Sequence, residues 1–95
     1  MAELWIEERD GLKIIGVTKE FQCDAGDISY VQIAPLGTIK VDDTLLNVEA
    51  SKAAIEVPAP LSGEIVERNE AAESEPSLLD SADPSHNWIV KLRTN

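Results

Sequence analysis

Short runs of β-branched and aromatic residues, each closed by a turn residue, recur along this chain. Residues 4–7 predict a first strand, and the Asp10-Gly11 dipeptide returns the chain into a second over residues 13–17. Thr18 is placed to cap a helical turn over residues 19–23, which Asp24-Ala25-Gly26 ends. Residues 28–33 set Ile28, Tyr30 and Gln32 against Ser29, Val31 and Ile33, an imperfect period of two in residue types that favour strand. Further strands are expected over residues 39–41, 44–49, 53–57 and 64–67, and a last one over 88–92, where Trp88, Val90 and Leu92 alternate. Residues 69–87, rich in Glu, Ser, Asp and Pro, read as a solvated acidic loop with one helical turn over Pro76-Ser77-Leu78-Leu79-Asp80.

One internal repeat stands out. Ala34-Pro35-Leu36-Gly37-Thr38-Ile39 and Ala59-Pro60-Leu61-Ser62-Gly63-Glu64-Ile65 share Ala-Pro-Leu, then Gly, a polar residue and Ile, at an offset of 25 residues that becomes 26 after Ser62. Each copy lies between two expected strands and supplies the proline and glycine that end one and aim the next. Two such half-units would pack as facing antiparallel sheets around one core, a mostly β single domain over residues 1–95.

Charge narrows the partners. Eighteen acidic residues against 8 basic give a net charge of −10, which argues against nucleic acid and anionic membrane and favours docking to basic surfaces. The start of the chain carries Glu3, Glu7 and Glu8 rather than the basic and apolar segments of a signal peptide, and no apolar run is long enough for a bilayer. With a single cysteine, Cys23, an internal disulfide is excluded; a cytoplasmic setting is expected, with Cys23 as a small buried residue. His86, the only histidine, reads as a solvated loop residue, and Trp5 and Trp88 as packing residues of opposite terminal strands. No metal-ligand spacing, phosphate loop or serine-hydrolase pattern is present, so neither a metal site nor a catalytic residue is expected.

The candidate chemistry lies between the half-units. The apolar run of residues 44–48 gives way to Glu49-Ala50-Ser51-Lys52-Ala53 before strand character resumes with Ile55 and Val57. A hairpin joins them economically, with Lys52 at its tip, although neither Asn-Gly nor Asp-Gly is there to fix the turn type. Ala50, Ser51, Ala53 and Ala54 are all small, which leaves the amine unobstructed. By itself, a turn lysine is only a solvated charge.

Glu49-Ala50-Ser51-Lys52-Ala53 resembles the lipoyl-attachment motif of the glycine cleavage system H protein family, typically Glu-Ser-x-Lys-Ala. The resemblance extends through Val57-Pro58-Ala59-Pro60-Leu61-Ser62-Gly63-Glu64-Ile65, through Ile15-Gly16-Val17-Thr18 and Gly26-Asp27-Ile28 upstream, and to Trp88-Ile89-Val90-Lys91-Leu92. Ala50 stands where the family has serine, with Ser51 one place later. The chain ends at Asn95, where H proteins continue into a C-terminal helix, and so is most like the shortened bacterial H-like proteins linked to lipoate ligase and macrodomain/sirtuin operons. The resemblance implies a barrel-sandwich hybrid fold, shared with biotinyl domains, and a non-catalytic carrier with lipoate in amide linkage to Lys52. Biotin is disfavoured because the methionines usual beside a biotinyl lysine are missing. The implied arm cycles among oxidised, reduced and, in glycine cleavage, aminomethyl-loaded forms. Implied partners are a lipoate ligase or lipoyl transferase, dihydrolipoamide dehydrogenase, and the glycine cleavage P and T components. The alternative is a lipoylated substrate of a macrodomain-linked sirtuin, ADP-ribosylated on an acidic residue in an oxidative-stress response. Asp27 is the candidate there, against a plain reading as a turn carboxylate accepting backbone hydrogen bonds.

Overall fold

The computed structural model describes residues 4–94; Met1 to Glu3 and Asn95, on which the reading of the chain's two ends partly rests, lie outside the described residues. Among the described residues, eight strands form two antiparallel sheets. The larger has the order β1 (Leu4–Arg9), β2 (Leu12–Val17), β8 (Trp88–Arg93), β7 (Gly63–Arg68) and β4 (Gly37–Ile39). The smaller has the order β3 (Ile28–Ile33), β5 (Thr44–Ala50) and β6 (Ala54–Pro58). Buried side chains from both sheets form one cluster, with Ile15, Val17, Ile65 and Leu92 from the larger and Val31, Leu46, Val48 and Val57 from the smaller.

Local chemistry accounts for the turns. Asp10 and Gly11 both take positive φ (54° and 80°), the geometry that a tight hairpin between twisted strands demands. Thr18 Oγ1 accepts from Phe21 N at 3.2 Å and starts α1 (Lys19–Ala25), which runs two residues further than the composition of Asp24-Ala25 suggests. Gly26, at φ 81°, ends it. The strand expected over residues 39–41 is displaced to Gly37–Ile39. Asp43 closes a turn there, its carboxylate accepting from Lys40 N at 3.0 Å and its own N–H donating to Lys40 O, so Val41 leaves the ladder and is exposed.

The two Ala-Pro-Leu copies meet each other. β3 and β6 flank β5 in the small sheet, and each copy then carries the chain across to the large sheet, where β4 pairs with β7. The register Gly37↔Ile65, Thr38↔Glu64 and Ile39↔Gly63 pairs the two Gly-x-Ile triplets about a local two-fold axis. Gly63 is needed for closeness as well, since a β-carbon there would come within 2.6 Å of Arg93 O.

Residues 69–87 are the main departure from expectation. The helical turn expected over Pro76–Asp80 is present as a 3₁₀ turn, but the residues around it are not a solvated loop: they form α2 (Glu70–Ser74) and α3 (Pro84–Asn87), and the segment buries Asn69, Ala72, Leu79 and Asn87. Their acidic side chains have a specific use. β3 is an edge strand, and carboxylates take two of its N–H groups: Ile28 N donates to Asp80 Oδ2 and Ile33 N to Glu73 Oε2, both at 3.0 Å. Arg68 completes the edge by donating to the carbonyls of Ile33 and Ala34 (2.9 and 3.1 Å) and pairs with Glu73 at 2.7 Å. The segment reads as hydrophilic because its polar atoms bond to backbone, with few apolar positions to betray a buried side.

Asn69 donates to the carbonyls of His86 and Trp88, Asn87 donates to Ser81 O, and Gln22 of α1 donates to Leu79 O and Ser81 O. Asn87 Oδ1 accepts from Trp5 Nε1 at 3.0 Å, and Trp5 lies over Gly16, where a β-carbon would meet its ring at 2.3 Å. Trp88, in the same sheet, is half-buried and lines a surface cavity of about 300 Å³ with Trp5, and Lys91 Nζ sits 5.4 Å from the Trp88 ring centroid. His86 is exposed and belongs to α3, with Nδ1 3.1 Å from Ser81 Oγ. At the start of that helix, hydrogen bonds from Ser85 hold the Asp83 carboxyl below the usual carboxylate range.

Candidate functional site

Lys52 lies in the bend between β5 and β6, fully on the surface. Glu49 and Ala54 are the last strand residues paired across it, and Ala50 N donates to Ala53 O at 3.0 Å, so Ser51 and Lys52 make the turn. Neither takes positive φ. Two-residue hairpin turns that follow the strand twist need at least one such residue, so this turn needs support from elsewhere.

Support comes from the end of α1. Lys52 N donates to Ala25 O and Ser51 N to Asp27 O, both at 2.9 Å, and Asp27 N returns a bond to Ser51 Oγ at 2.9 Å. Lys52 Nζ reaches Cys23 O at 3.1 Å. A helix C-terminus leaves carbonyls without partners and carries partial negative charge; α1 has no basic residue in its last turn, and Lys52 supplies the cation. The approach is possible only because residue 26 is glycine. A β-carbon there would stand 2.4 Å from Ser51 Oγ and 3.0 Å from Lys52 Cγ. Residues 25–27 and 50–53 are therefore one unit, and the backbone that carries Lys52 is held by hydrogen bonds at Ser51 and Lys52.

The expected small flank is present: Ala50 and Ala53 are half-buried, while Glu49, Ser51 and Ala54 are exposed. Ser51, one place late for the family pattern, is the residue that receives the Asp27 N–H. Cys23 is exposed rather than buried, because it lies on the outward side of α1 while Phe21 and Ala25 face the core. Asp27 is exposed beside the hairpin, and its backbone makes both hydrogen bonds to Ser51. No hydrogen bond among the described residues goes to its carboxylate, contrary to the turn-acceptor expectation. Sequence reasoning singled out Gly26-Asp27 as a family element but did not connect it to the lysine. The glycine directly after the capped helix was the only local sign.

Among the described residues, no group of three His, Cys, Asp or Glu side chains is arranged to hold a metal ion, and no helix is long and apolar enough to cross a membrane.

A sequence model of the glycine cleavage H-protein family matches residues 1–95. A glycine cleavage system H-like protein of Staphylococcus aureus (strain Mu50) is 45% identical over 89 residues, which cover 94% of this chain and 81% of the relative. A probable glycine cleavage system H protein of Thermococcus gammatolerans is 44% identical over 85 residues, covering 88% of this chain but only 63% of the relative. The crystal structure of a glycine cleavage system H protein from Mycobacterium marinum superposes with a TM-score of 0.88 at 27% identity, covering 98% of this chain and 79% of that one.

Proposed function

The chain belongs to the glycine cleavage H-protein family, and from that premise we propose that it is a non-catalytic lipoyl carrier with lipoate in amide linkage to Lys52. The observation that carries the reading is the presentation of Lys52. Its amine stands on the surface at a hairpin tip, its backbone is pinned to Ala25, and its neighbours are too small to obstruct an approaching active site. Such a site fits a covalent arm, since an acyl chain on Nζ extends into solvent without displacing packed side chains. When bound, the lipoyl group supplies a dithiolane that is reduced to a dithiol and reoxidised.

The chain's own part is positional. The braced turn gives a modifying enzyme a fixed backbone to recognise, while the lysine's methylenes leave the arm mobile. Amide formation removes the ammonium charge and with it the ionic part of the contact to Cys23 O. Tethering raises the local concentration of the arm's reactive end at each partner's active site. In this reading a lipoate ligase or lipoyl transferase loads the carrier, the glycine cleavage P and T components use it, and a dihydrolipoamide dehydrogenase reoxidises it. An exposed, unpaired Cys23 thiol fits the reducing cytoplasm. Neither the family match nor the fold supports the sirtuin alternative or modification at Asp27.

The test is intact mass after co-expression with a lipoate ligase and lipoate. Wild-type chain should gain one lipoyl group and a Lys52→Arg chain none. No gain on the wild type, or equal gain on both, overturns the reading.

A further inference from the structure

The two sheets differ in how their charges are matched. Every glutamate on the strands of the larger sheet has a cation from the same sheet: Glu7 with Arg9, Glu8 with Lys13, Glu64 with Arg93 and Glu67 with Lys91. Its remaining arginine, Arg68, meets Glu70 and Glu73. The strands of the smaller sheet carry Glu49 and Glu56 and no lysine or arginine at all. Among the described residues, neither acid has a cation within ion-pairing distance. Two of the chain's excess negative charges thus stand on this sheet without a cation, and Asp24 and Asp27 are exposed at the end where Lys52 stands.

The outward side chains of this sheet form two rows. Tyr30, Glu49 and Ala54 lie across the strands in one, and Gln32, Asn47 and Glu56 in the other. They line a shallow groove of about 400 Å³. Tyr30 is 46% exposed, a large ring left in water on an otherwise polar face. Aromatic rings so placed are favoured anchors in protein interfaces, burying area while the hydroxyl keeps a polar contact. The first row ends at the lysine turn.

We propose that the outer face of the three-stranded sheet is the docking surface for the enzyme that acylates Lys52, and that this enzyme meets it with a lysine- and arginine-rich surface and an apolar seat for Tyr30. The inference rests on reading Lys52 as the attachment site. Charge complementarity selects the partner: carboxylates with no cation beside them attract a cationic surface from a distance and repel an acidic one, including a second copy of this chain. Placement selects the enzyme, because whatever lies across Glu49 and Ala54 has Lys52 at its margin.

The experiment uses a lipoate ligase that modifies the wild-type chain, with lipoate and ATP, and follows mass gain at varied carrier concentration. Glu56→Lys and Tyr30→Ala should each raise KM about 5- to 10-fold with little change in kcat, and wild-type KM should rise with salt. Glu8→Lys, the same change of net charge on the other sheet, should leave KM within about 2-fold. Direct binding of the ligase to the Lys52→Arg chain should show the same dependence on Glu56 and Tyr30, with no acylation to confuse it. Thermal unfolding of each variant confirms that the fold is intact. Wild-type KM values for Glu56→Lys and Tyr30→Ala overturn the docking face while leaving the carrier reading standing. So does an effect seen only when a dihydrolipoamide dehydrogenase acts on the loaded arm. If no ligase modifies the wild type, the carrier reading fails and this inference fails with it.

Discussion

At Gly26 the backbone turns with φ of 81°, and a β-carbon would come within 2.4 Å of Ser51 Oγ. Gly26→Ala therefore meets both backbone strain and a clash with the hydroxyl that holds Asp27 N. The expected loss is about 1–3 kcal/mol in urea unfolding. A slower acylation of Lys52 should accompany it, since the turn it braces has no favourable geometry of its own. A stability equal to wild type would mean that the brace contributes nothing. At this scale the sequence was half legible. The turn that carries Lys52 and its small neighbours could be placed because two apolar runs flank it in the sequence. Cys23 was misjudged because a small thiol is usually buried, and a seven-residue helix has a narrow inward stripe that Phe21 and Ala25 already fill. The bonds from Ala25 and Asp27 join residues about two dozen positions apart, and nothing in a linear pattern reports such a pairing.

Among the elements, the strands were readable from alternation and turn residues to within a residue or two, apart from β4. Of the segment from Asn69 to Asn87, only the turn over Pro76–Asp80 was. Its helices are short, of 5, 5 and 4 residues, too short for a helical period to emerge. Its acids look like a solvated run, yet Asp80 and Glu73 act as acceptors for the free edge of β3. Glu73→Ala leaves the Ile33 N–H without its acceptor and removes the close ion-pair partner of the mostly buried Arg68. The expected cost is about 1–3 kcal/mol. In hydrogen exchange, the Ile33 amide should lose protection more than Val48 in the central strand; equal protection in mutant and wild type would remove the edge-capping role. The surface pairs of the larger sheet, such as Glu67 with Lys91, should each contribute under about 1 kcal/mol.

For the whole molecule, the repeat of Ala-Pro-Leu pointed to two half-units packed as facing sheets; two antiparallel sheets are present, but each half-unit crosses between them, β3 and β6 lying in one and β4 and β7 in the other. What the repeat could not convey is that the acidic segment lies across both halves, contributing Ala72 and Leu79 to the same buried cluster as Ile15 and Val48. We propose that residues 1–95 unfold as one cooperative unit. Leu79→Ala should lower stability by about 2–5 kcal/mol, within the range for a fully buried leucine, and should keep a single transition. Far-ultraviolet circular dichroism and tryptophan fluorescence from Trp5 and Trp88 should give the same midpoint. Divergent midpoints would show that the helical segment melts independently.

The brace under the lysine turn bears on how this protein is addressed. Five letters, Glu49-Ala50-Ser51-Lys52-Ala53, spell the motif, but the amine's location is written by a second stretch of chain that ends α1. In the carrier reading proposed above, an enzyme that acylates Lys52 reads a coordinate in space rather than a word. A peptide carrying those five letters has the spelling without the address, and only the folded chain offers a single, fixed place for the arm to begin.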